Sequence, residues 1–182
     1  MERISLSPRF YSVGFGLFLV FSLLHCSSNA YSIKPEPTLE QVTSQSEEIC
    51  IGTRFYFFSG RPCISVKGEK DNNSGQVQYY FRYEIGTFDV DLPLGVSLKV
   101  GDTWYNLKKS STDYSNTIVV SSHLPPEVTA AIGSGKSFVV SYTNRSGTEN
   151  FPLNGTQVSR LQDNLLKLQK QLESEQKMKI QK

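Results

Sequence analysis

Val77-Gln78-Tyr79-Tyr80-Phe81-Arg82-Tyr83-Glu84-Ile85 is the stretch on which the fold turns. Val77, Tyr79, Phe81, Tyr83 and Ile85 alternate with Gln78, Tyr80, Arg82 and Glu84. A strict period of two sends one set of side chains to a core and the other toward water, so the stretch reads as a half-buried β-strand. Upstream lies Asp71-Asn72-Asn73-Ser74-Gly75, a run of residues that bond their own backbone or tolerate a left-handed conformation, hence a turn. Before it, residues 49–58 (ICIGTRFYFF) and 62–66 read as two strands about a Ser59-Gly60 turn.

Downstream, Gly86 stops the strand, and the apolar set resumes with Phe88, Val90 and Leu92, then Val96, Leu98 and Val100 up to a Gly101-Asp102 turn. Residues 104–107, 117–120 and 138–142 complete the series. Short strands with turn signals at close spacing predict an all-β domain, an antiparallel β-sandwich over residues 49–155. Residues 125–132 (PPEVTAAI) form one short helical insertion, opened by Pro and stopped by Gly133.

After Asn154-Gly155 the period changes. Val158, Leu161, Leu165, Leu168 and Leu172 are spaced by three and four, an apolar stripe on a C-terminal amphipathic helix over residues 156–182. The stripe covers about two heptads, short of the three to four that support a coiled coil. Packing of residues 158–168 on the sandwich is expected, with a frayed Lys-rich end. Weak self-association through Val158, Leu161, Leu165, Leu168 and Leu172 is the alternative.

The first 26 residues read as an address. Arg3 and Arg9 precede an uncharged apolar run, residues 13–24. That run is short of the roughly 20 residues a membrane span needs, so it reads as a signal-peptide core. It ends in Leu23-Leu24-His25-Cys26, which resembles a bacterial lipobox, with Leu three residues before the modified Cys. The thiol of Cys26 would accept diacylglycerol, and several acyl chains at about 0.8 kcal/mol per buried CH₂ anchor a protein stably to a membrane. His25 departs from the small residue usual before the Cys. Cleavage after Ala30, behind Ser28-Asn29-Ala30, is the alternative and would release a secreted or periplasmic product. Residues 27–48 hold little apolar content and read as a flexible tether with a span of roughly 25 Å.

Export bears on the cysteines, of which the chain has three. With Cys26 lipidated, Cys50 and Cys63 meet an oxidising compartment. A disulfide between them contributes roughly 3 kcal/mol in the chain-entropy description. If Ser59-Gly60 is a two-residue turn, however, Cys63 lies opposite Tyr56 rather than Cys50.

Composition narrows the function. The formal net charge of +2 is about +1 once the signal is removed, too balanced to single out nucleic acid or an anionic surface as partner. There is no His-Glu-x-x-His, phosphate-binding Gly loop or calcium loop, and neither cofactor nor metal site is expected. Gly133-Ser134-Gly135-Lys136 precedes a strand rather than a helix and reads as a turn. His123, the only histidine beyond the signal, could join Ser121 or Ser122 in a triad only without a nucleophile elbow; it reads as a loop residue, and no catalytic residue is assigned. Asp89 and Asp91 share one strand face and read as solvated rather than as paired catalytic carboxylates. Asn72, Asn144 and Asn154 stand in glycosylation sequons, which matter only in a eukaryotic secretory pathway. Tyr80, Arg82 and Glu84 share an outward face, and an exposed Tyr–Arg pair has the composition of a binding hot spot, so these three are the candidate binding surface.

Residues 91–100 (DLPLGVSLKV) resemble the PLGV-x-L segment of the invasion-associated locus B proteins. Residues 124–142 resemble that family's next block, a short helix followed by Gly and a strand, and Phe151-Pro152-Leu153-Asn154-Gly155 resembles its closing segment. Cys50 and Cys63 fall where the family has an early cysteine pair, while the family's second pair is absent. The resemblance implies an exported β-sandwich of the bacterial envelope, linked in some relatives to host-cell invasion, with no enzyme activity. The expectation is therefore a lipid-anchored protein of the bacterial outer membrane, on its periplasmic or surface side, whose sandwich contacts a host or envelope protein. The alternative is a periplasmic structural or assembly protein whose C-terminal helix docks a partner.

Overall fold

The computed structural model describes residues 41–52, 61–86 and 93–180. Along the chain run β1 (Gln41–Gln45), β2 (Ile49–Cys50), β3 (Cys63–Asp71), β4 (Val77–Gly86), β5 (Pro93–Val100), β6 (Thr103–Leu107), β7 (Lys109–Asp113), β8 (Thr117–Leu124), α1 (Pro126–Ser134), β9 (Phe138–Asn144), β10 (Gly147–Pro152) and α2 (Gly155–Ile180). The strands form two antiparallel sheets. The first has the order β1-β3-β4-β8-β7, with β2 also paired to β3; the second has the order β10-β9-β5-β6. The all-β sandwich with one short helix and a C-terminal helix is what the alternation predicts.

β4 lies at the centre of the first sheet, and its alternation is used as read. Phe81, Tyr83 and Ile85 are buried together with Ile64 and Val66 of β3 and Ile118 and Val120 of β8. The second sheet contributes Val96, Leu98, Val140 and Tyr142. The Tyr83 and Tyr142 rings stack across the two layers, with centroids 4.6 Å apart. Each fully buried aliphatic or aromatic side chain here contributes at most about 1.5–3 kcal/mol.

α2 covers the remainder of the first sheet's inner face. Asn154 and Gln157 cap it reciprocally: the Gln157 N–H donates to Asn154 Oδ1 and the Asn154 N–H to Gln157 Oε1, both at 2.9 Å. Val158, Leu161, Leu165, Leu168 and Leu172 are all 6 % exposed or less. This corrects the self-association alternative, because the stripe is buried in the chain's own core. It also extends the packed part of the helix beyond residue 168 to Leu172. Gly68 permits the approach: a Cβ there would sit 2.5 Å from Leu172 Cδ1. Lys70, also buried, donates from Nζ to the Leu172 carbonyl at 2.8 Å.

Three further expectations are revised. The tether expected over residues 27–48 does not extend through Gln41–Gln45, which pairs with β3 from Gln41 opposite Asp71 to Gln45 opposite Lys67. A polar strand needs only one apolar face and a backbone partner, and Ser44 is buried while donating to Gln171 of α2 at 3.2 Å. The register that sets Cys63 opposite Tyr56 is also replaced. Cys50 lies opposite Cys63, and the Ile51 N–H donates to the Pro62 carbonyl at 2.8 Å, so the disulfide joins direct neighbours, with Cα atoms 3.9 Å apart. Thirdly, His123 is a strand residue of β8, not a loop residue. Cys26, Ala30, the signal segment, residues 53–58 of the first expected strand with the Ser59-Gly60 turn, Asp89 and Asp91, and the strand expected at residues 88–92 lie outside the described residues.

Candidate functional site

The three outward residues of β4 do share a face, and each has a partner on it. Arg82 donates from Nη1 to Gln45 Oε1 of β1, and Gln45 in turn donates to Ser65 Oγ at 3.4 Å. Glu84 accepts from Thr117 Oγ1 at 2.7 Å. The Tyr80 hydroxyl donates to Gln78 Oε1 at 2.8 Å, and its ring meets His123 edge-on at 6.0 Å. Partial burial, followed by the Glu69 carboxylate, pushes the Tyr80 phenol up, so it stays protonated at neutral pH. Glu48 stands beside this network. Its carboxyl is raised by partial burial and then by Glu84, with Arg82 opposing. The face is half-buried and its polar groups are tied to one another across β1, β3, β4 and β8. That arrangement ties neighbouring strands together and engages part of the hydrogen-bonding capacity of each group.

His123 and Ser122 are adjacent in β8 and so point to opposite faces. The Ser122 hydroxyl is buried on the core side without a partner among the described residues, and His123 rests on Tyr80 outside. The triad geometry is therefore not assembled by this pair. Among the described residues no group of three metal-binding side chains comes together.

A different feature is concave. Where β4 begins and β8 ends, a groove of about 560 Å³ opens between α1 and α2. Its floor is Val77 and Tyr79 of β4 and Leu124 of β8. One wall is α1, through Pro126, Thr129 and Ala130; the other is α2, through Gln162, Leu165 and Leu166. The volume lies in the range of ligand and peptide sites. α1 forms because Pro126 presets the first turn and Glu127 complements the helix N-terminus. It ends at Gly135, whose missing Cβ leaves room for Val100 and Phe138. The Gln162 amide clamps the two helices together, donating to the Ile132 and Gly135 carbonyls at 2.9 and 2.8 Å. On the rim, Leu166 is 49 % exposed. Asp163 is the only formally charged residue of the lining at neutral pH, and His123 reaches the mouth from β8. The Tyr79 phenol is pushed up by burial and by the Glu173 carboxylate, so it remains a neutral hydrogen-bond donor.

Sequence reasoning placed the binding surface on Tyr80, Arg82 and Glu84 and missed the groove. One signal was present: Leu166 follows Leu165 but lies off the stripe of α2, an apolar residue the core does not need. The chain matches no family model, no curated protein and no solved structure.

Proposed function

We propose that this chain is a non-catalytic binding module of a bacterial cell envelope, anchored by lipid on Cys26, that receives an amphipathic helix of a partner protein in the groove between α1 and α2. The observation that carries the reading is the half-exposed Leu166 on the rim of an apolar trough walled by two helices. A third helix laid in that trough would bury Leu166 and Ala130 by ridge-into-groove packing, the mode of helix-in-groove recognition. Asp163 at the rim selects a partner with Lys or Arg beside its apolar face. The lipobox-like Leu23-Leu24-His25-Cys26 supports the anchor, and the resemblance to invasion-associated locus B proteins implies a host-cell or envelope protein as the partner.

The test has two arms. Mass spectrometry of the native protein is expected to find an acylated N-terminal Cys26; a mature start at Tyr31 would remove the anchor. A photo-crosslinking residue at position 166 is expected to capture a discrete protein on intact cells, and Leu166→Asp combined with Ala130→Glu to abolish capture without loss of fold. Equal capture by that double variant would overturn the groove as the docking site.

A further inference from the structure

The outer face of the second sheet bears a pattern that neither the core nor the groove accounts for. Its four strands place Asn106, Ser97, Ser141 and Asn150 directly opposite one another, one residue from each of β6, β5, β9 and β10. Val96, Leu98, Val140 and Tyr142 are buried inward, so alternation turns this row outward. It crosses the sheet over about 14 Å, three strand spacings. Ser97 donates to Asn106 Oδ1 at 2.8 Å, which holds the amide in place and leaves its N–H donors without a partner among the described residues. Ser141 is only 5 % exposed, and its hydroxyl likewise has no partner among the described residues. Ser97 and Ser141 stand in this row between the larger Asn side chains at its two ends.

Two rows flank it. Two residues along the strands on one side stands Trp104, the only tryptophan of the chain and 48 % exposed, paired with Lys99 in a row that runs on through Val139 and Pro152. On the other side the Thr143 and Thr148 hydroxyls bond each other at 2.9 Å. These rows contain no carboxylate. Their one cation, Lys99, lies 6.0 Å from the Trp104 ring centroid. A phosphate backbone would need several cations and an apolar chain would strand the amides, so the row suits neither. A neutral polyol suits it: hydroxyls pair with amides and serine hydroxyls, and C–H faces pack on the negative face of an indole. A pyranose ring is about as long as one strand-to-strand step.

We propose that the outer face of the β10-β9-β5-β6 sheet binds a neutral, unbranched glycan laid across the strands along Asn106, Ser97, Ser141 and Asn150 with one sugar on Trp104. This site is separate from the helix groove and does not depend on it.

The single tryptophan makes the test direct. The full chain is titrated with hexasaccharides of β-1,4-linked glucose and of β-1,4-linked N-acetylglucosamine, followed by tryptophan fluorescence and calorimetry. The expected result is a saturable blue shift with at least one of them. By calorimetry, Asn150→Ala and Trp104→Ala each weaken binding at least tenfold with unchanged circular dichroism, and Leu166→Asp leaves it intact. Absence of both spectral shift and heat with the two sugars overturns the proposal, as does undiminished affinity in Trp104→Ala.

Discussion

The two sheets are covered unequally. The first is backed by the second sheet and by α2 on its inner side, and on its outer side it carries a disulfide beside β4 and a mesh of charged and polar side chains that bond each other. The second carries on its outer side a row of small neutral polar residues flanked by Lys99, Val139 and an exposed Trp104, with few internal bonds. The more charged face, which composition marks as sticky, is the one whose groups already have partners. What distinguishes a docking surface from a structural one is therefore whether polar groups remain unsatisfied, not how many there are.

Substitutions that undo the coverage of the first sheet should cost stability, and equivalent changes on the second should not. Leu172→Ala removes the side chain nearest Gly68 and leaves a cavity between α2 and β3; urea denaturation is expected to show a loss of about 2–5 kcal/mol. Replacing Cys50 and Cys63 together by Ser is expected to cost about 3 kcal/mol, and a reductant should reproduce the loss in the native protein but not in the variant. Asn154→Ala breaks the reciprocal cap of α2 at a cost of about 1 kcal/mol, which Asn154→Asp should largely restore. Arg82→Ala is expected to cost up to about 1 kcal/mol, against a change within about 0.5 kcal/mol for Asn150→Ala. Equal losses for that last pair would break the comparison.

The smallest effect is a pH dependence. Glu48 has its carboxyl raised by partial burial and by Glu84 above the ordinary 4.5. The folded state thus binds this proton more tightly than the unfolded one. The associated stability is present at acid pH below 4.5 and is lost as pH rises through the raised value. Glu48→Gln should flatten that part of the stability profile, and Arg82→Ala, by removing the opposing cation, should steepen it. Asp71 runs the other way. Its carboxyl is lowered by the Ser74 and Asn73 backbone N–H groups it accepts in the turn, so its contribution appears above 3.8 and fades as pH falls.

Much of this was legible in the chain. Residues 77–85, the α1 segment after Leu124-Pro125, the apolar stripe of α2 and the class of fold follow from period and turn chemistry, which are local. β1 and β7 were not legible, because Gln-Val-Thr-Ser-Gln and Lys-Ser-Ser-Thr-Asp have too little apolar content to declare a strand; they are strands because β3 and β8 offer them backbone partners. The groove escaped for a related reason: its lining comes from four elements, and no spacing along the chain brings Val77, Leu124, Ala130 and Leu166 together.

By itself the sequence determined which side of each strand and helix is apolar, since side-chain direction repeats every two or 3.6 residues whatever surrounds it. The tertiary structure alone decided the rest: that Cys50 faces Cys63, that Leu172 settles on Gly68, and that four polar residues from four strands fall into one row. Strand order and register are set by contacts between residues distant in the chain, and no local preference encodes them.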